Sequence, residues 1–86
     1  MIEKSYLTSD GRTISYCDNE AYEKKCLVVL HGWGCDKDNL RGVYLPLCED
    51  LRVISIDLPG FGKSGRPKET WGSVDYANDI AAFLKD

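Results

Sequence analysis

The chain has 86 residues, with 11 Lys and Arg against 14 Asp and Glu for a net charge of −3, and 43% of it is hydrophobic. That balance fits a folded globular segment rather than a disordered one, and the length allows one small domain with a marginal core. The acidic charge and the scattered basic residues, whose longest run is Lys24-Lys25, give no general pull toward nucleic acid or anionic lipid.

No apolar stretch approaches the ~20 residues that span a bilayer. The opening Met1-Ile2-Glu3-Lys4-Ser5 lacks the apolar segment of a secretory signal. A cytoplasmic protein without membrane or nucleic-acid partners is expected. Cys17, Cys26, Cys35 and Cys48 form no C-x-x-C pair and match no common zinc spacing, so no metal site is expected. They read as reduced structural thiols, with Cys26 a small core residue in an apolar run.

Glu3 to Leu7 and Arg12 to Cys17 predict a half-buried antiparallel hairpin turned by Asp10-Gly11. Asp18 to Lys25 is polar and reads as a loop. Cys26-Leu27-Val28-Val29-Leu30 is uniformly apolar, as in a parallel strand covered on both faces. It stops at His31-Gly32-Trp33-Gly34. A short helix is expected from about Tyr44 to Asp50, with Pro46 in its first turn. A β-branched strand follows over Val53 to Asp57, ending in Leu58-Pro59-Gly60-Phe61-Gly62. Ser73 is a candidate N-cap for a final helix, whose apolar face would carry Val74, Ala77, Ile80, Ala81 and Leu84. The order predicts an α/β fold in which the later strands are parallel.

Gly60-Phe61-Gly62-Lys63-Ser64-Gly65 is a literal G-x-G-x-x-G after a strand. A dinucleotide site needs the third glycine to lead directly into a helix that receives the pyrophosphate. Here Arg66-Pro67 follows, and Pro67 biases Arg66 away from helical geometry. A P-loop would need glycine where Asp57 stands. A nucleophile elbow on Ser64 would need glycine where Arg66 stands.

Taken together, the two strand ends say more. His31-Gly32-Trp33-Gly34 closes one apolar strand, and Asp57-Leu58-Pro59-Gly60-Phe61-Gly62-Lys63-Ser64 closes the next. With the Asp10-Gly11-Arg12 hairpin and the helix Val74-Asp75-Tyr76-Ala77-Asn78-Asp79-Ile80, this pattern resembles the α/β-hydrolase superfamily over nearly the whole chain. The resemblance implies an N-terminal sheet portion, an antiparallel hairpin followed by two parallel strands with flanking helices.

It also implies site roles. The backbone N–H of Trp33 would be one donor of an oxyanion hole, where a single donor is worth about 2.7–4 kcal/mol. Gly32 and Gly34 would let the loop turn inward, and His31 would brace it. Asp57, Gly60, Gly62 and Ser64 would form a structural turn near the site rather than catalytic groups. The substrate implied is a small-molecule carboxylic ester or related acyl compound, with no cofactor.

The family's triad runs Ser, then Asp or Glu, then His, with the Ser on a G-x-S-x-G elbow after the fifth strand. No such elbow occurs here, and the only histidine is His31. Cys35 has no second histidine to activate it. Residues 1–86 therefore read as the N-terminal portion of a single hydrolase domain, truncated before the nucleophile elbow and inactive alone. The alternatives are a non-catalytic remnant or interaction module, and a nucleotide-binding βα unit. In the family's sheet order the third strand lies between the fourth and the fifth; with the fifth absent from these residues, Cys26 to Leu30 would be an exposed apolar edge, so self-association of the isolated fragment through it is expected.

Overall fold

The computed structural model describes residues 1–32, 35–67 and 69–85. Four strands, β1 (Ile2–Leu7), β2 (Thr13–Asp18), β3 (Cys26–Leu30) and β4 (Arg52–Ile56), form one sheet in the order β1-β2-β4-β3. β1 and β2 are antiparallel, with Leu7 opposite Thr13. The turn between them uses Gly11 at φ 85°, a left-handed conformation that suits glycine. β2 is antiparallel to β4, and β3 is parallel to β4 with Leu30 opposite Ile56.

Position in the sheet explains where burial departs from expectation. β2 is an interior strand, so Ser15 and Cys17 are buried as well as Ile14 and Asp18. The half-buried pattern expected for the hairpin fails there because the connection between β3 and β4 lies over the second face, with Lys37 near Cys17 and bonded through its carbonyl to Ser55, which is opposite Cys17 in β4. β3 lies at the edge. Its apolar residues are only partly covered, Leu30 is 48% exposed, and Cys26 is exposed rather than a core residue. All four cysteines are free thiols.

The connection between β3 and β4 holds a short α1 (Arg41–Tyr44) followed by a 3₁₀ turn over Leu45–Glu49. The helix expected from Tyr44 to Asp50 is thus shifted toward the N-terminus. Pro46 sits in the first turn of the 3₁₀ segment, where its missing N–H costs nothing. Tyr44 is the buried anchor of this connection.

The last helix, α2, spans Ser73–Lys85. Its cap is Gly72 rather than Ser73. The Gly72 carbonyl accepts the N–H groups of Asp75 (3.1 Å) and Tyr76 (3.3 Å), and the Asp75 carboxylate accepts the Gly72 N–H at 2.9 Å. That is the reciprocal half of a capping box. α2 buries Ile80 and Phe83 against Ile14, Ile54 and Ile56. The Phe83 ring meets Tyr6 and Tyr16 edge to face, at 5.2 and 4.9 Å.

Of the apolar face read from periodicity, only Ile80 is buried, while Val74 is 72% and Leu84 48% exposed. The sheet instead covers a neighbouring stripe of the helix that carries Ile80 and Phe83. Arg12 ties the hairpin turn to α2, pairing with Asp79 at 2.6 Å and lying 4.6 Å over the Trp71 ring. Phe83→Ala should cost about 3–5 kcal/mol, most of the stability of so small a chain. A urea titration should show the cooperative transition lost or moved to very low denaturant.

Candidate functional site

β3 and β4 run parallel and in register, so they deliver His31 and Asp57 side by side at their carboxyl ends. In open α/β sheets that end is where ligand-binding loops gather.

His31 is 6% exposed. Its Nε2 accepts the Leu58 N–H at 2.9 Å, so the ring proton is on Nδ1, which donates to the Gly32 carbonyl at 2.8 Å. Both ring nitrogens are thereby occupied by main chain. The ring also meets Phe61 edge-on at 5.4 Å. His31 joins the loop after β3 to the loop after β4. Gly32 is exposed, and the Cys35 N–H bonds its carbonyl at 3.1 Å. Trp33 and Gly34, the expected oxyanion donor and its neighbouring turn glycine, lie outside the described residues.

Asp57 is fully buried. Its Oδ1 accepts the Lys37 N–H at 2.7 Å, and its Oδ2 accepts the Lys63 N–H and the Lys37 ammonium, each at 2.9 Å. Gly62, at φ 50°, passes so close that a Cβ would overlap the carboxylate. Only glycine fits there. Gly60, at φ 86°, turns the chain so that its N–H reaches the Gly65 carbonyl at 3.0 Å. Ser64 donates its hydroxyl to the Asp57 carbonyl at 2.6 Å and accepts the Ser15 N–H at 2.8 Å. The Gly65 N–H donates to Thr13 at 2.7 Å. The loop is thus fastened to β2, and the Ser64 proton is committed to the main chain.

This geometry disposes of the phosphate-binding alternatives. The Lys63 amide of the glycine segment points at a buried carboxylate, where an anion would be repelled. Among the described residues after Gly65, no helix starts until Ser73.

Lys37 is the functional-site residue that sequence reasoning misses. It is 3% exposed and belongs to the polar stretch after the first loop. Burial alone pushes the Asp57 carboxyl up. The Lys37 and Lys63 N–H groups and the Lys37 ammonium outweigh that and hold it below its ordinary value. For Lys37, burial lowers the pKa, but Asp57, with Glu3 at 3.4 Å, reverses this and raises it.

Beside the His31 loop opens a cleft of about 780 Å³, with Leu30, Leu58, Phe61, Trp71, Ala81 and Leu84 among its walls. Chemically, the arrangement is a braced main-chain loop at the rim of an apolar cleft. Among the described residues no helix is long and apolar enough to cross a membrane.

Lys37→Met leaves a buried carboxylate without its counter-charge and should cost about 3–5 kcal/mol, measured by urea unfolding at pH 7. Because the folded Asp57 pKa is depressed, its contribution is complete above its unfolded value of about 3.9 and fades as pH falls through the lower folded value. Asp57→Asn should therefore flatten the acid limb of a stability–pH profile. Lys37 has the opposite sign. Its contribution is complete below about 10.4 and fades as pH rises through its higher folded value.

A family model described as alpha/beta hydrolase fold matches residues 25–86. The pimeloyl-[acyl-carrier protein] methyl ester esterase of Aeromonas hydrophila subsp. hydrophila is 39% identical over 61 residues, covering 70% of this chain and 24% of that protein. Lipase 3 of Moraxella sp. is 33% identical over 79 residues, covering 92% of this chain and 24% of its own. Among solved structures, a membrane phospholipase A described as a bacterial virulence factor aligns with a TM-score of 0.91 at 32% identity, over 98% of this chain and 27% of that one. An esterase from Exiguobacterium antarcticum aligns at 0.83 and 26%, over 98% and 31%. The chain spans about a quarter of the length of the curated relatives it matches. The match over residues 25–86, the sheet order and the paired loops at the strand ends place this chain in the alpha/beta hydrolase fold family.

Proposed function

We propose that these residues supply the oxyanion-hole side of a serine-type hydrolase acting on carboxylic esters or related small acyl substrates, and that the 86-residue chain alone does not turn over. The observation that carries the proposal is the His31 clip. A buried imidazole spends both nitrogens on the main chain of two loops, at Gly32 and at Leu58, beside an apolar cleft. His31 thereby ties Gly32 to Leu58 next to where, in this proposal, a main-chain N–H would meet a developing oxyanion, and an acyl chain would lie in the cleft. Fixed donors of this kind act without reorganisation during the reaction. The esterases and lipases among the relatives favour an ester substrate.

In this proposal Trp33 provides the N–H, Gly32 and Gly34 its backbone freedom, and Asp57, Gly60, Gly62 and Ser64 the supporting turn. The nucleophile, its base and the acid come from chain beyond these residues. His31, with no free ring nitrogen, braces the loop.

A chimera tests this directly. Residues 26–86 replace the matching segment of the Aeromonas esterase, and turnover of a nitrophenyl ester is measured. A folded chimera should retain saturable hydrolysis. Adding His31→Ala should lower kcat by about tenfold or more through the loosened loop, with a smaller effect on KM. A folded chimera without turnover contradicts the proposal, as does saturable turnover by the 86-residue chain itself.

A further inference from the structure

His31 holds the start of the loop after β3, through Gly32 and Leu58. Further along, the main chain bonds mostly to itself. The Cys35 N–H donates to the Gly32 carbonyl at 3.1 Å. The Asp36 N–H donates to the Asn39 side chain at 2.8 Å, and the Asp38 N–H to the Asp36 carboxylate at 2.9 Å. These bonds shape a local turn and tie it to no other element.

Among the described residues from 35 to 39, Lys37 alone forms hydrogen bonds outside that turn, and it uses every polar group it has. Its N–H donates to Asp57 Oδ1 at 2.7 Å, and its carbonyl accepts the Ser55 hydroxyl at 2.9 Å. Its ammonium donates to Asp57 Oδ2 at 2.9 Å and lies 3.4 Å from Glu3. Ser55 belongs to β4 and Glu3 to β1. Three groups at three angles fix both the place and the orientation of this residue. A buried lysine of this kind is rare unless paired, and it cannot shift without separating an ion pair that solvent does not reach.

On the hydrolase reading above, we propose that Lys37 is a positioning residue for the main-chain donor of the oxyanion hole, fixing the far end of the loop as His31 fixes the near end. Trp33 stands between these two anchors in the sequence. A loop pinned at one end alone lets its donor drift, and a misplacement of about 1 Å can cost about a hundredfold in rate. Lys37 does not meet substrate itself, because its ammonium is buried and engaged by Asp57 and Glu3. Its effect falls on kcat, since the donor meets full charge only in the transition state.

The competing role is simple neutralisation of Asp57. In that case, removing both charges together would restore the loop. The double variant Lys37→Met with Asp57→Asn separates the two roles. It leaves no lone buried charge, so it should recover most of the urea midpoint lost in Lys37→Met, yet it lacks the ammonium tether.

Two measurements test the assignment. In the 86-residue chain, hydrogen exchange at the Cys35 amide should quicken about tenfold or more in the double variant, while Ile54 and Ile56 keep their protection. Ser55 and Asp57 fall within residues 26–86, so the esterase chimera carries Lys37 with both. There, Lys37→Met and the double variant should each lower kcat about tenfold or more, with KM changed less. A kcat that returns with stability in the double variant overturns the proposal. So does a Cys35 amide as protected in the double variant as in the unsubstituted chain. An active chimera indifferent to Lys37→Met overturns this proposal alone, whereas a folded, unsubstituted chimera without turnover overturns the hydrolase reading and this proposal with it.

Discussion

The buried carboxylate of Asp57 is the constraint on which the rest of the site depends. It sits just past the end of β4 with no solvent to satisfy it, and an unpaired buried charge is costly enough to be avoided in folded proteins. The structure meets that demand by bringing two loops to it. Lys37 arrives from the loop after β3 with its amide and its ammonium, and Lys63 arrives from the loop after β4 with its amide. Gly62 must then pass within contact of the carboxylate, which leaves no room for a side chain. One acidic residue therefore dictates the path of both loops, the choice of glycine and the burial of a lysine.

His31 completes the arrangement from the other side. Its two main-chain bonds join Gly32 to Leu58 across the strand ends. Ser64 and Gly65 fasten the second loop to β2, so the loops are held against an interior strand rather than against each other alone. This is the kind of support that lets a main-chain donor keep its position when charge develops before it. Backbone groups carry the proposed chemistry, and side chains serve to fix the backbone.

Much of this was legible in the sequence. The glycines and proline after Asp57 announce a tight loop, and the failure of three phosphate or nucleophile patterns around Gly60 to Gly65 pointed to a structural turn. The apolar runs located β3 and β4 because parallel strands need apolar residues at successive positions. Lys37 was not legible. A lysine in a polar stretch is ordinarily solvated, and nothing local reveals that a carboxylate twenty residues later will bury it. Nor was the choice between the two stripes of α2. Periodicity finds an apolar face but not which face the sheet will cover, and Phe83 rather than Leu84 was taken because Tyr6 and Tyr16 offer its ring a seat. Cys26 belongs to an apolar run yet is exposed, since edge or centre is a property of strand order and not of the strand.

Native-state hydrogen exchange tests the shared anchoring of the two loops most directly. If Asp57 and His31 hold them to the sheet, the amides of Lys37, Leu58 and Lys63 open only with the sheet, and their protection matches that of Ile54 and Ile56 in β4. Exchange of those three loop amides at the rate of unstructured chain, while β4 stays protected, would contradict it.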